Sequence, residues 1–301
     1  MKTLLILVKR NMKLFFKDKG LFLTSLITPL ILLVLYITFL GNVYEDTFIM
    51  NVPSNVVLSK KLVNGLVGSQ LIASILSVSC VTVSFCSNFL MVQDKANGTI
   101  KDLTIAPVKS KTLSLGYYIA SLISSLIICL TATAICLIYL AIVGWYLSVS
   151  DVLLVVLDVF LLVMFGTAIS SVINYFLTSQ GQISAVGTIV SSGYGFICGA
   201  YMPISTFSSG LQKALSFLPS TYGTSLIKNH CMNSAVNELE KEGVPKETVN
   251  ALRDAFDLNL YFFDNKVSIG VMYLIIISSI LLLITTYVLI YKFHKKMVKC
   301  N

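Results

Sequence analysis

Residues 96–116, ANGTIKDLTIAPVKSKTLSLG, stand between two of the most apolar stretches of the chain. The segment carries charges, a glycine, a proline and a string of hydroxyls, whereas its surroundings suit lipid. The whole chain of 301 residues is 56% hydrophobic and only 12% charged. Soluble domains average about a quarter charged residues, so the composition reads as an integral membrane protein. A membrane-crossing helix needs ~20 mostly apolar residues. Six stretches qualify, at about 21–40, 66–91, 113–143, 152–177, 183–202 and 267–291. The fold class expected is therefore an all-α integral membrane protein with six transmembrane helices. The first apolar run, TLLILV, is short, leads into Lys9 and Arg10, and lacks a small-residue cleavage site, so no cleavable signal is expected.

Charge sets the orientation. Lys2, Lys9, Arg10, Lys13, Lys17 and Lys19 face one acid, Asp18, in the first 20 residues, and Lys292, Lys295, Lys296 and Lys299 crowd the end. Basic flanks mark the cytoplasmic side. Both termini are expected there, as an even number of crossings allows. The polar segment, with Lys95, Lys101, Lys109 and Lys111, falls on the same side, and the acidic stretch 234–264 falls outside.

Residues 2–18 segregate lysines from Leu4, Leu5, Val8, Met12, Phe15 and Phe16 at helical spacing, as an interfacial helix does. Pro29 suggests a kink in the first crossing. The second is rich in hydroxyls, from Ser69 to Ser87, with Gln70 and Asn88. The fourth carries Gly166, Ser170 and Asn174 at steps of four, and the fifth carries Gly187, Ser191, Gly195 and Gly199 likewise. Small residues at that step let helix backbones approach in a bilayer, either as static packing or as the wall of a conduit. Asp158 is an intramembrane charge, which makes it a functional candidate unless it reaches the headgroup layer. Residues 203–265 suggest short broken helices dipping into the membrane, then two soluble helices broken at Gly243 and Pro245. Val249, Leu252 and Phe256 give the second of these an apolar stripe.

Much chemistry is missing. No phosphate-binding loop, zinc-protease or nucleophile-elbow motif occurs, so the chain is not expected to be an enzyme or to bind a cofactor itself. Most of the seven cysteines fall inside predicted crossings, which excludes an extracellular disulfide framework. His230 and His294 fall on opposite sides, which excludes a shared metal site. SGYGF at 192–196 lies inside a continuous apolar run and not in the extended loop that an ion filter needs. A stand-alone secondary transporter or channel and a non-transport membrane scaffold both stay open as readings of the apolar helices.

Asp94, Gly98, Thr99, Ile100, Leu103, Pro107, Val108 and Lys109, with Gly116 opening the next crossing, match a loop pattern of acidic-x-x-x-G-T-hydrophobic-x-x-L-x-x-x-P-hydrophobic-x-basic. Pro219, Thr221 and Tyr222 match a P-x-T-Y pattern after the fifth crossing. Together with the basic helix and the order of crossings, these make nearly the whole chain resemble a permease subunit of the ABC-2 type ATP-binding-cassette exporters. At Gln93-Asp94-Lys95 it departs from the glutamates more usual in that family. The resemblance implies an N-terminal interfacial helix (1–20), crossings one and two (21–92) and a cytoplasmic coupling loop and helix (93–112). Crossings three to five (113–202), an extracellular re-entrant and cap segment (203–266), a sixth crossing (267–291) and a cytoplasmic tail (292–301) complete the plan.

It further implies a plasma-membrane exporter of an amphipathic drug, peptide, lipid or glycan. A second permease subunit, identical or homologous, pairs with it, and a separate ATPase subunit carries the ATP and Mg; no nucleic acid is involved. Asn97, Gly98, Thr99, Ile100, Lys101, Asp102, Leu103, Thr104 and Pro107 would then contact the ATPase. In that helix Thr99 is expected to cap the first turn, Ile100 and Leu103 to be apolar anchors, and Pro107 to end it.

Overall fold

The computed structural model describes residues 2–50, 58–105, 108–263 and 265–298, with side chains at all of these except 28, 37, 47, 104 and 291–298. Pro107, Asp264, Lys299 and Cys300 therefore lie outside the described residues, as does the middle of the loop expected at 41–65. The protein is helical almost throughout. Helix α1 (Lys2–Lys17) precedes α2 (Lys19–Leu35), whose first turn is capped by Asp18 accepting from the Leu21 N–H at 3.1 Å. A π-turn at Tyr36–Leu40 leads on to α3 (Gly41–Met50), so the first span runs from Lys19 to Met50 and past the expected end at 40. Pro29 lies within α2, and the irregular turn comes a little later.

Helix α4 (Lys60–Ala96) is the axis of the fold. Its 37 residues would extend roughly 55 Å at 1.5 Å per residue. It packs against α6 (Ser110–Val143), α7 (Val149–Phe176), α8 (Gln180–Ile197), α10 (Pro219–Lys241) and α2. Nearly every residue from Leu62 to Val92 is buried. That position explains its hydroxyls. Ser77, Ser79, Thr82 and Ser84 each donate to the carbonyl four residues back, so small polar groups are satisfied within the helix while neighbours pack closely.

Among the described residues five helical segments are long and apolar enough to cross a membrane: Lys19–Met50, Lys60–Ala96, Ser110–Val143, Val149–Phe176 and Ile269–Ile290, the last within α12 (Ile269–Val298). The sixth apolar stretch of the sequence forms α8, which has 18 residues diluted by Gln, Gly and Ser, and it falls short of that standard. It stops at Ile197, before the expected end at 202. Gly199 takes a left-handed φ of 75°, and the Ala200 and Gly199 N–H groups close back onto Gly195 and Phe196 carbonyls at 2.9 and 3.3 Å. This is a Schellman ending. Gly199 therefore terminates the helix and does not extend its small-residue face.

Residues 203–267 depart most from expectation. A short turn at Ile204–Thr206 and α9 (Ser209–Leu215) precede α10, and α11 (Lys246–Ala255) precedes a hairpin of β1 (Leu260–Phe262) and β2 (Asn265–Val267). The P-x-T-Y residues join α9 to α10: Pro219 starts α10, Thr221 donates to the Leu215 carbonyl at 2.9 Å, and Tyr222 donates to the Ser216 carbonyl. What reads as a soluble helix near 234–242 is the last third of α10. That helix is buried from Ser220 to Met232 and again at Ala235, Val236 and Leu239. Its Lys228, Asn229 and His230 lower its hydropathy, but each is paired inside the protein, so the helix belongs to the bundle. Val249, Leu252 and Phe256 do form the buried stripe of the α11 region, and Phe256 stacks on Phe48 with ring centroids 4.3 Å apart.

Candidate functional site

The turn from α4 into the short helix α5 (Thr99–Ile105) depends on one backbone angle. Asn97 caps α4, donating to the Gln93 carbonyl at 2.9 Å, and Gly98 follows at φ 77°. A β-carbon at Gly98 would meet nothing within 4 Å, so the glycine answers a conformational need and not a spatial one. The Gly98 carbonyl then accepts from the Lys101 N–H at 2.9 Å. Gly98 thus holds the cap position expected of Thr99, which is the first residue of the helix.

Two consecutive side chains fix this end of α4. Asp94 accepts from Arg10 of α1 at 2.6 Å and from the Tyr117 hydroxyl of α6. Burial of Arg10 works against its charge, but Asp94 more than offsets that, and the guanidinium pKa is held above its ordinary value. Lys95 turns the other way. Its ammonium donates to the carbonyls of Asn174 and Leu177 at 3.2 Å and to that of Tyr175, closing the C-terminal end of α7. The departure from the family's glutamates at Gln93-Asp94-Lys95 is therefore where α1, α6 and α7 are all tied to the base of α5.

The surface of α5 differs from expectation in one respect. Lys101 and Asp102 are exposed, Ile100 is half-buried, and Leu103 is half-buried because it packs back on the core. The most exposed apolar side chain is Ile105, at 83%. Sequence reasoning missed it because it sits at the helix's C-terminal end, where solvation and packing look alike on paper. Thr104 lies in the helix, and its side chain is not described.

Of the remaining named residues, Gly166 and Ser170 pack α7 on α4, whereas Gly187 and Ser191 line a cavity beside α8. A β-carbon on Gly166 would lie 3.0 Å from the Cys80 carbonyl and the Val81 Cα, so α7 lies backbone-close to α4 there. Ser170 donates to the Ser84 carbonyl at 3.3 Å and accepts from Asn88 at 3.1 Å. The Asn174 amide is buried with no hydrogen-bond partner among the described residues. On α8, Gly187 faces the Phe89 ring, Gly195 is covered by the Tyr201 ring, and the Ser191 carbonyl accepts from Tyr201 at 3.2 Å. Tyr201 of the same chain thus fills the groove at Gly195.

Two further clusters escaped the sequence reading, since their members lie far apart in the chain. Asp158, 1% exposed, does not reach a surface: its carboxylate meets His230 Nδ1 at 2.6 Å and accepts from Tyr273 at 2.7 Å, joining α7, α10 and α12. Lys228, fully buried, pairs with Asp257 at 3.1 Å and donates to the Gly199 carbonyl at 2.8 Å. Asp257 also accepts from the Ile204 and Ser205 N–H groups at 2.8 and 3.2 Å, gripping the chain just beyond α8.

A cavity of about 1180 Å³ opens between α2 and α8, with Cys86 and Phe89 of α4 as its back wall. Its lining is mainly apolar, with Thr24, Ser184 and Thr188 among its polar members. One end reaches Asp18 and Gln93; the other is roofed by residues 201–203, Ser205, Thr206 and Phe256. Among the described residues no group of three or more His, Cys, Asp or Glu side chains is placed to hold a metal.

A search among curated proteins finds no match. The model of the ABC-2 type transporter family matches residues 2–229, from α1 into α10. With three quarters of its length inside that match, and with its apolar spans around a central helix, the chain belongs to the ABC-2 type transporter family as a membrane permease.

Proposed function

We propose that the chain is the permease half of an ATP-driven exporter and that α5 is its contact with a separate ATPase subunit. The observation that carries this is Ile105, 83% exposed on a helix of seven residues that follows directly from the central helix. Apolar side chains in such a place are the anchors of protein interfaces. A push on α5 would be transmitted by the Arg10–Asp94–Tyr117 and Lys95 contacts to α1, α6 and α7, while α4 carries it across the membrane. ATP and Mg would reside on the partner. Both termini would be cytoplasmic in the plasma membrane, with α8 as a sixth, less apolar crossing and 203–266 on the outer side. A second permease copy, or a homologue, would face the α2 and α8 flank. The cavity there, apolar with scattered hydroxyls, suits an amphipathic substrate.

The competing reading is a secondary transporter or channel that works alone. Ion coupling needs ionisable groups that face the transport path. Asp158 and Lys228 are both paired away from the cavity, and Asp18, the one acid lining it among the described residues, already caps α2. Reconstitution of the chain with its ATPase in proteoliposomes tests the choice. Substrate accumulation that requires ATP supports the exporter. Accumulation driven by a proton or sodium gradient without ATP would sink it.

A further inference from the structure

A second cavity, of about 450 Å³, lies between α9 and the hairpin, at the end of the fold away from α5. Its walls carry Lys213 on α9, Asp254 at the end of α11, and Tyr261 and Phe263 of the hairpin. Asp257 also lines it but is paired with Lys228, whereas Lys213 and Asp254 do not neutralise each other. Among the described residues the ion pairs are Arg10–Asp94, Lys228–Asp257, His230–Asp158 and Lys241–Glu238, and none joins Lys213 to Asp254. The Lys213 ammonium rests over the Phe263 ring, 5.6 Å from its centroid, which leaves its donors directed at the cavity or at water. Asp254 uses Oδ1 to accept from Asn259 at 2.7 Å and Tyr261 at 3.1 Å, and its Oδ2 makes no hydrogen bond among the described residues. A cation and an anion thus look into one cleft across a gap.

The cleft is followed in the chain by an apolar span. β2 ends at Val267, and α12 enters its apolar span at Ile269. Beside the cleft, Phe217, Phe262 and Phe263 form an edge-to-face cluster with centroids 5.0–6.1 Å apart. All three are exposed, at 64%, 38% and 47%. Aromatic side chains in water would be a liability, whereas at the boundary of a bilayer they are favoured. Phe263 also holds a φ of 53°, a left-handed conformation that a bulky residue rarely adopts. The hairpin tip keeps an aromatic ring where glycine would fit more easily, which places a premium on the ring itself.

We propose that this cleft binds the headgroup of a zwitterionic phospholipid from the leaflet opposite α5, with its phosphate on Lys213, its ammonium on Asp254 Oδ2, and the phenylalanine cluster among its acyl chains. The phosphate and ammonium of phosphoethanolamine are separated by two carbons, so a single headgroup carries both the charges that Lys213 and Asp254 Oδ2 would take. The same chemistry occurs in free phosphoethanolamine compounds, and the test separates the two sources. The proposal does not depend on an ATPase partner, because the permease alone carries every residue involved.

The full chain, purified in detergent and stripped of lipid, is titrated calorimetrically with short-chain phosphatidylethanolamine, phosphatidylglycerol and glycerophosphoethanolamine. Phosphatidylethanolamine should bind at least about tenfold more tightly than either of the others, a difference of about 1.4 kcal/mol. Lys213→Ala and Asp254→Asn should each weaken phosphatidylethanolamine by about tenfold, and Lys213→Arg should restore it. Asp254→Asn should leave phosphatidylglycerol unchanged, whereas Lys213→Ala should weaken it further. Lys213 is exposed, so its loss leaves folding intact, and a native melting curve for each variant confirms that. Equal affinity for phosphatidylethanolamine and phosphatidylglycerol, or no effect of either substitution, overturns the site. Glycerophosphoethanolamine binding as tightly as the lipid overturns the lipid assignment.

Discussion

Replacing Lys228 with Met keeps the length of the side chain and deletes its charge in a place with no water to compensate. Lys228 is fully buried, and its ammonium serves Asp257 at 3.1 Å and the Gly199 carbonyl at 2.8 Å. Breaking one member of a buried ion pair costs about 3–5 kcal/mol, because the survivor is left charged and unpaired. Here the surviving Asp257 keeps two backbone N–H donors, from Ile204 and Ser205, so the lower end, about 3 kcal/mol, is expected for Lys228→Met. Asp257→Asn removes the counter-charge and leaves one carbonyl oxygen for the donors that two carboxylate oxygens served, so a cost in the same range, about 3–5 kcal/mol, is expected. Asparagine accepts the left-handed φ of 58° at that position as readily as aspartate, so the backbone is not a confounding factor.

The double variant removes both charges and should cost at least about 2 kcal/mol less than the sum of the singles. The assay is unfolding by a denaturing detergent in mixed micelles, followed by a thiol-reactive dye in a variant that retains only Cys198. That cysteine is 1% exposed and directly precedes Gly199, so it reports on the turn that the pair grips. Single substitutions costing under about 1 kcal/mol, or a double variant that is simply additive, would refute the reasoning.

Three other outcomes rest on the packing. Gly166→Leu should prevent α7 from seating on α4, since its β-carbon already meets backbone atoms at 3.0 Å; gel filtration should show loss of monodisperse protein, while Gly193→Leu, with nothing within 4 Å, should not. Asp94→Asn should destabilise by about 1–3 kcal/mol through the weakened contact to the part-buried Arg10 and should loosen α1, read as faster proteolysis within residues 2–17. Gly98→Ala should cost about 1–2 kcal/mol from its left-handed φ of 77°, although space is available; the melting temperature should fall without loss of helix content.

The spans were legible in the sequence because a bilayer demands long apolar runs, and the base of α5 was legible because Gly98 and the charges around it interrupt them. The role of α10 was not. Lys228, Asn229 and His230 look like solvent-facing residues until Asp257, Leu258 and Asp158, from 29 to 72 residues away, are seen to satisfy them. Removing 234–264 as though it were a detachable cap would take away Val236, Leu239, Val249 and Asp257, all buried. The spacing of small residues on α8 was informative only in part: Gly187 and Ser191 line the cavity, but Gly195 and Gly199 do not continue that face. A step of four fixes which positions share a helix face, but it cannot show that the helix has ended before Gly199 or that Tyr201 folds back over Gly195. Ile105 was missed because exposure at a helix end is set by where the next segment turns.

Capture of the ATPase subunit by α5 variants tests the central claim most directly. Ile105→Asp places a charge at the centre of the proposed contact, at an expected cost of about 2–4 kcal/mol in binding. With surface expression equal to wild type, pull-down of the ATPase should fall by at least about tenfold and export should be lost. Leu103→Asp should also lose capture, with some loss of stability since Leu103 packs partly on the core. Lys101→Ala should retain capture, because an exposed charge contributes little. If Ile105→Asp inserts normally, captures the ATPase and supports export like the wild type, α5 is not the coupling element.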